Sequence, residues 1–168
     1  MTGPNPQATY DRIADHFAAT REYPWPEIES FVADAAHGAV ALDVGCGNGR
    51  HAELLADRAD QVVALDVSRG LLRTARRRQT DRGFDAHLVQ GDAAVLPLRG
   101  GIVDLAVYVA TLHHLRPRAA RVDSLDELAR VLAPGGRALV GVWSTTHDRF
   151  DAETGFDTTV DWTLPGGE

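Results

Sequence analysis

The sequence contains no lysine: its 17 basic residues are all arginine, and 24 aspartate and glutamate residues outnumber them. The formal net charge of −7 argues against nonspecific nucleic-acid binding through global charge, because phosphates repel an acidic surface. A nucleic-acid partner would need a local arginine patch or a helper protein. An acidic, lysine-free composition is typical of a GC-rich genome or of a salt-rich cytoplasm, and the sequence leaves both causes open.

Cysteine and long apolar runs are also scarce. Cys46 is the only cysteine, so it forms no internal disulfide and builds no zinc site alone. No apolar run approaches the roughly 18 residues that a membrane span requires, and the N-terminal residues lack the basic and apolar regions of a secretory signal. We therefore expect a cytoplasmic protein without membrane contact. A hydrophobic content of 44% in 168 residues predicts one packed core.

Apolar runs and helical patterns alternate along the chain. Short apolar runs predict strands at 39–44, 61–65, 86–89, 102–109 and 138–143. Helical spacing predicts helices at 10–20, 27–36, 50–58, 69–79 and 118–132, with Ser68 as a cap of the fourth and Pro134-Gly135-Gly136 after the fifth. The alternation predicts an α/β fold with a mostly parallel sheet covered on both faces. Ligands of such sheets bind at the carboxyl ends of the strands.

The first predicted strand ends in a glycine-rich turn, with the sequence DVGCGNG at residues 43–49. Glycines there permit a tight turn and a close approach of the backbone to a ligand. The dinucleotide-binding fingerprint would need a further glycine at the position of Arg50. Asp43, two residues before the first glycine, is a poor neighbour for a pyrophosphate and suits a cationic ligand.

Two further acids follow the next two predicted strands. Asp66 lies 21 residues after Gly45, which is typical of an acid that accepts hydrogen bonds from ribose hydroxyls. Asp92 follows the third strand, where a carboxylate can accept a hydrogen bond from an adenine amine. Together these acids indicate a pocket for an adenosine that carries positive charge. The alternative is purely structural: the glycines serve a turn, Asp66 caps the next helix and Asp92 closes a loop.

These motifs resemble those of class I S-adenosylmethionine-dependent methyltransferases over residues 39–143. The resemblance implies a doubly wound, Rossmann-like sheet of strand order 3-2-1-4-5, with S-adenosyl-L-methionine as the cofactor. It assigns the loop 45–49 to the methionine part, Asp66 to the ribose, and Asp92 with Ala93 to the adenine. The implied cofactor-binding residues are Tyr10, Arg21, Asp43, Gly45, Cys46, Gly47, Asn48, Gly49, Asp66, Val67, Asp92, Ala93 and Val109; no metal ligand is implied.

The N-terminal segment carries a narrower resemblance, in the sequences YDxIAxHFAxTR at 10–21 and WPxIxxF at 25–31. They are similar to the signature of the tRNA wobble-uridine methyltransferases, which esterify 5-carboxymethyluridine in the anticodon loop, and point to an archaeal member. That family has serine where Ala18 stands. The resemblance implies catalytic roles for Arg21, His113 and His114, with Arg21 positioning the acceptor carboxylate. The alternatives are a surface ion pair for Arg21 and a core hydrogen bond for one histidine.

Arginines cluster in two further places. Arg116, Arg118 and Arg121 follow the histidine pair and are candidates for phosphate contacts. The predicted fourth helix carries a larger set, interpreted as a solvated face or alternatively as an RNA contact. Its members are Arg69, Arg73, Arg76, Arg77, Arg78 and Arg82.

The resemblance also implies partners and a domain organisation. The family acts on tRNA together with a small zinc-binding activator, which adds a strand to the sheet edge and forms a heterodimer. In the implied order that edge is the third strand, at 86–89. We expect an N-terminal helical lid at 1–38, a methyltransferase core at 39–150 and an irregular tail at 151–168, without the family's final strands. Two competing hypotheses keep the fold: a small-molecule or lipid methyltransferase, and a non-catalytic binding module.

Overall fold

A computed structural model describes residues 5–144 of the chain. Within these residues five strands alternate with helices, and no helix is both long and apolar enough to cross a membrane. The strands are β1 (Gly38–Val44), β2 (Ala59–Asp66), β3 (His87–Gln90), β4 (Val103–Val109) and β5 (Leu132–Gly141). The helices are α1 (Pro6–Thr20), α2 (Pro26–Ala33), α3 (Arg50–Ala56), α4 (Arg69–Arg82) and α5 (Arg118–Val131), with a 3-10 turn at Leu112–His114. The predicted tail at 151–168 and the last part of the predicted core, at 145–150, lie outside the described residues.

The five strands form one parallel sheet of order β3-β2-β1-β4-β5, which confirms the predicted α/β class and strand order. In the central strand β1, Asp43 pairs with Ala64 of β2 on one side and with Val107 of β4 on the other. The strand order reverses between β1 and β4. The carboxyl ends of these two strands therefore frame the crevice in which such sheets bind ligands.

Helices cover the sheet because its strands are apolar on both faces. Ala41 and Val107 belong to a buried cluster with Ile28 of α2 and Leu55 of α3. On the other face Leu42, Tyr108 and their neighbours pack against α5. The strands are therefore held rigidly beneath the loops that follow them.

The fifth strand starts earlier than predicted, and the expected start at 138 was wrong. β5 begins at Leu132, directly after α5, and runs through Pro134-Gly135-Gly136. Leu132 pairs with Val103 and Arg137 with Leu105, so the pairing register shifts over the intervening residues. A Cβ at Gly136 would lie 2.6 Å from the Val103 carbonyl oxygen, so the glycine permits this close approach. The predicted end at Trp143 was also too late, since β5 ends at Gly141.

Helix α1 packs across the start of α4. A Cβ at Gly70 would lie 3.0 Å from the Cβ of Ala14 and 3.0 Å from the carbonyl oxygen of Asp11. The Asp11 carboxylate accepts hydrogen bonds from the Ser68 hydroxyl at 2.7 Å and from the Gly70 N–H at 2.7 Å. Ser68 Oγ in turn accepts from the Leu71 N–H at 3.1 Å, which confirms Ser68 as the cap of α4. The interface fixes α1 beside the carboxyl end of β2, while the division of the chain at residue 38 stays a prediction.

We expect Gly70→Val to lower the free energy of unfolding by about 1–3 kcal/mol, since the added side chain must separate the two helices. Amide hydrogen exchange should rise in α1 more than in β1 or β4, because the contact lies at the helix crossing. Asp81→Val, at an exposed position of the same helix, is the matched control. An equal loss in both variants would mean that helix propensity, and not the crossing, sets the effect.

Candidate functional site

The glycine-rich loop turns the chain sharply between β1 and α3. Gly45, Gly47 and Gly49 have φ angles of +71°, +55° and +81°, a region that side chains other than glycine rarely adopt. The N–H groups of Gly45 and Cys46 both donate to the carbonyl of Leu65, at 2.8 and 2.9 Å. The glycines thus serve a tight turn, and this turn places their backbone at the carboxyl end of the sheet.

Neighbouring segments approach this loop closely. A Cβ at Gly45 would lie 2.1 Å from Thr111 Oγ1, and a Cβ at Gly47 would lie 3.3 Å from the ring of Phe17. The loop is therefore flanked by the segment after β4 and by α1.

Asp66 fixes the loop to the next strand connection. Its carboxylate accepts hydrogen bonds from the Gly47 N–H at 2.9 Å and from the Ser68 N–H at 2.8 Å. Burial raises the pKa of Asp66, and these N–H donors oppose the rise. The Val67 N–H is a third donor near this carboxylate. A carboxylate has about four acceptor positions, so at least one remains. Val67, the next residue, is exposed beside it.

Asp43 is a carboxylate at the centre of the fold, beneath the loop. It is fully buried, and neither of its oxygens has a hydrogen-bond partner among the described residues. Burial raises the pKa of Asp43 to about 7, and the Asp66 carboxylate adds to the rise. The Ala52 N–H and the Arg50 cation oppose it, although no donor lies in hydrogen-bonding geometry. Burial of such a group without a partner is costly, so its presence needs a reason.

The third predicted acid lies in a closed turn. Asp92 is exposed, and its Oδ1 accepts a hydrogen bond from the Ala94 N–H at 2.8 Å, as the structural alternative expects. Ala93 is buried, and its carbonyl accepts from the Ser124 hydroxyl at 2.7 Å. Ser124 also bonds the Tyr108 hydroxyl at 2.8 Å. This buried network holds the Asp92–Ala93 turn against β4 and α5, and Val109 is buried at the end of β4.

Aromatic side chains join α1 to the segment after β4. The Tyr10 hydroxyl and His114 Nε2 share a hydrogen bond at 2.9 Å, and the rings of Tyr10 and Phe17 meet edge to face at 5.5 Å. Burial lowers the pKa of His114 to about 4, with contributions from His113 and Arg116, so the imidazole is neutral near pH 7. The exposed His113 ring lies 4.0 Å from that of His114. The two predicted histidines therefore have different environments: His114 contacts Tyr10 of α1, whereas the His113 side chain is exposed.

Arg21 lies beside the same aromatic cluster. Its guanidinium carbon is 5.0 Å from the centre of the Phe17 ring, and Nη1 donates to the Thr20 hydroxyl at 3.1 Å. Burial lowers the pKa of Arg21. Asn48, a predicted cofactor-binding residue, donates through Nδ2 to the Arg21 carbonyl at 2.9 Å. This bond holds its side chain against the linker, residues 21–25 between α1 and α2.

Cys46 is buried in the loop, and burial raises the pKa of its thiol. This arrangement fits a small packing residue and not a nucleophile.

The arginines of α4 divide into two groups. Arg77 pairs with Asp15, Arg78 with Glu53 at 2.6 Å, and Arg82 with Glu22 at 2.8 Å. These ion pairs attach α4 to α1, the linker and α3, a role that the sequence interpretation missed. The second group lines a groove of about 460 Å³ at the β3 edge: Arg69, Arg73 and Arg76, with Leu72, Leu88 and Gln90. Near the histidine pair, Arg121 donates to the Leu115 carbonyl at 2.9 Å.

Several residues that shape the site were absent from the predicted set: Asp11, Phe17, Arg50, His51 and Thr111. Asp11 and Phe17 stand inside the N-terminal motif, which was the available signal. Arg50 and His51 directly follow the glycine loop, but nothing in their spacing reveals that both are buried.

Comparison with known proteins agrees with this geometry. Residues 42–140 match the family model described as "Methyltransferase domain". The tRNA (carboxymethyluridine(34)-5-O)-methyltransferase of Mus musculus is 38% identical over 139 residues, which cover 83% of this chain and 20% of that protein. The Saccharomyces cerevisiae protein of the same name is 31% identical over 162 residues, or 93% of this chain and 55% of that protein. The chain thus spans about a fifth to about half of these relatives.

A solved structure shows the same fold. It is the complex between the Haloferax volcanii Trm112 methyltransferase activator and a putative methyltransferase. The TM-score is 0.67 at 23% identity, over 80% of this chain and 58% of that one. With the family model matching more than half of its residues, the chain belongs to the methyltransferase domain family.

Proposed function

We propose that this chain is the catalytic part of a tRNA methyltransferase that uses S-adenosyl-L-methionine. Its acceptor is the carboxylate of 5-carboxymethyluridine, or of a related uridine, at the wobble position. The observation that carries the proposal is the extent of the similarity to the named tRNA methyltransferases. The 139 matched residues exceed the span of the methyltransferase-domain match at 42–140.

The residues at the carboxyl end of the sheet fit the proposed cofactor. The remaining acceptor capacity of Asp66 suits a ribose hydroxyl, and the glycine turn lets the backbone come close to a ligand. The buried carboxylate of Asp43 supplies negative charge beneath the loop, which suits a ligand with a sulfonium and an ammonium group. The Asp92–Ala93 turn, fixed by Ser124, is the proposed adenine contact.

When bound, S-adenosyl-L-methionine supplies an electrophilic methyl group. A carboxylate acceptor is already ionised near pH 7 and is itself the nucleophile, so the protein needs no general base. The protein's main task is to align acceptor and methyl donor. Arg21 is the proposed positioning cation for the acceptor, since a guanidinium can hold a carboxylate through two parallel hydrogen bonds. His113 and His114 are the proposed catalytic residues beside the acceptor, and Tyr10, which bonds His114, is a proposed cofactor contact.

The fold alone does not exclude the two competing hypotheses. A small-molecule or lipid methyltransferase would use the same cofactor pocket with another acceptor. A non-catalytic module would keep the fold without turnover. The sequence similarity to tRNA methyltransferases supports the first proposal over both.

The proposed partner is a small zinc-binding activator that adds a strand at β3, with the zinc held by that partner. In the described sheet β3 is an edge strand, and an unpaired edge is a template for strand addition. The groove beside it offers apolar side chains, Leu72 and Leu88, below three arginines. A partner strand with alternating apolar and acidic side chains would complement this groove.

The deciding experiment incubates the protein and a candidate activator with tRNA that carries carboxymethyluridine, followed by nucleoside mass spectrometry. We expect a methyl ester at the wobble uridine.

Asp66→Ala should weaken cofactor binding by about 1–3 kcal/mol, the usual cost of losing a charged acceptor. Asp60→Ala, at the exposed opposite end of β2, is the control and should bind normally. Unchanged tRNA beside a methylated metabolite would favour the small-molecule hypothesis, and no cofactor binding would favour the non-catalytic module.

Cofactor affinity should depend on pH through Asp43. Below the Asp43 pKa of about 7 the carboxyl is neutral, and above it the charge attracts the cationic ligand, so affinity rises with pH. Above about 8 the ligand's own amino group loses its proton and affinity falls again. Calorimetry from pH 6 to 9 should therefore give a maximum between these values. Methylthioadenosine, which lacks both cationic groups, should give a flat profile; a flat profile for both ligands would remove Asp43 from the binding site.

Activator binding should leave a distinct footprint in hydrogen exchange. The amides of β3, His87–Gln90, should become protected, because their edge gains a partner strand. The amides of β5 at 138–141 are the internal control and should keep their exchange rates. Protection at β5 alone would place the partner at the wrong edge for this proposal.

A further inference from the structure

A chain of buried polar groups runs from the centre of the sheet to the linker 21–25. His51 Nδ1 lies 4.0 Å from Asp43 Oδ1, and Arg50 Nε donates to His51 Nε2 at 3.2 Å. Arg50 Nη1 donates to the Tyr23 carbonyl at 3.3 Å. Asp43, Arg50 and His51 are 0%, 8% and 5% exposed, so solvent screens these interactions little.

The hydrogen bonds fix the tautomer of His51. A guanidinium only donates, so Nε2 must accept, and the proton of the neutral ring lies on Nδ1. Burial lowers the pKa of His51 to about 3, helped by the Arg50 and Arg78 cations, which keeps the ring neutral. The protonated nitrogen of His51 is therefore the one that lies 4.0 Å from Asp43 Oδ1, too far for a hydrogen bond but close enough for a charge–dipole interaction.

Arg50 also contacts the linker through an aromatic ring. Its guanidinium carbon lies 5.7 Å from the centre of the Trp25 ring, which is compatible with a cation–π interaction. The Arg50 side chain thus contacts the linker twice, through Tyr23 and Trp25, so its position depends on the position of the linker.

We propose that Arg50 and His51 are positioning residues that transmit docking of the linker 21–25 to the Asp43 carboxyl, and so set how strongly the site attracts a cationic ligand. The inference rests on the proposed function, because the ligand is the cofactor named there. With the linker docked, the guanidinium and the Nδ1–H both favour the ionised form of Asp43. With the linker displaced, Arg50 loses the Tyr23 carbonyl and the Trp25 ring, and this support weakens.

The coupling is reciprocal, since two linked equilibria shift each other by the same factor. A bound cation favours ionised Asp43, which favours the ordered His51 and Arg50, which favour the docked linker. The titratable and charged groups near Asp43 and Arg50 are Asp66 from β2, Cys46 from the loop, His51 from α3, Arg78 from α4 and Arg21 from the linker.

The test compares two ligands in the full chain by calorimetry at pH 7.5. His51→Phe keeps a ring but removes both nitrogens. We expect it to weaken binding of S-adenosyl-L-methionine about threefold, the fall in the ionised fraction of Asp43 that a rise of one pKa unit produces at this pH, and to change binding of methylthioadenosine less than 1.5-fold. The affinity maximum for the cationic ligand should also move to higher pH. His37→Phe, at an exposed histidine on the opposite end of the sheet, is the matched control and should leave both affinities unchanged.

Hydrogen exchange reads the reverse direction of the coupling. In the wild-type protein the cationic ligand should slow exchange of the linker amides, and in His51→Phe this slowing should disappear. Arg50→Lys keeps the positive charge but cannot bond both His51 and the Tyr23 carbonyl. It should show the same losses as His51→Phe. If His51→Phe does not fold, Arg50→Lys is the test variant.

Equal losses for both ligands, or no loss for either, would overturn the relay while leaving the proposed cofactor in place. Failure of the wild-type protein to bind either ligand would overturn the proposed function, and the relay with it.

Discussion

The Asp66 carboxylate joins two segments through the N–H groups of Gly47 and Ser68. One bond fixes the glycine loop after β1, and the other fixes the start of α4 after β2. Ser68 then bonds Asp11, so the same point anchors α1. Because these donors hold the carboxylate in place, a ligand bound there, as proposed, would cost little ordering entropy. These hydrogen bonds thus connect the glycine loop, Asp66 and helix α1 to one another.

The sequence predicts the strands of the sheet well, because they depend on local patterns. Apolar runs between turn residues mark the strands, and a parallel sheet collects their carboxyl ends on one side. Asp43, the glycines and Asp66 follow from that geometry alone. β5 was placed too late because pairing with β4 carries the strand through Pro134-Gly135-Gly136, a stretch that local propensity interprets as a break.

Other features depend on contacts between distant residues and leave no local pattern. Tyr10 and His114 were both singled out, yet only the folded chain joins them across more than a hundred residues. The arginines of α4 were treated as one set, whereas neighbouring acids on α1, α3 and the linker divide them. Arg50 and His51 look like surface residues by composition, since charged and polar side chains are seldom buried. They are buried between the Asp43 carboxylate on one side and the linker 21–25 on the other.

The crossing of α1 over Gly70 bears on how this fold is divided into modules. The match to the methyltransferase domain family starts at residue 42, so a boundary drawn there assigns α1 to a separate appendage. Yet Asp11, Tyr10 and Phe17 contact Ser68, His114 and Gly47, which all lie within residues 42–140. Exchange of N-terminal segments between related proteins would therefore also exchange the residues that pack against the glycine loop and against the segment after β4, and chimeras joined at that boundary should have mismatched contacts there.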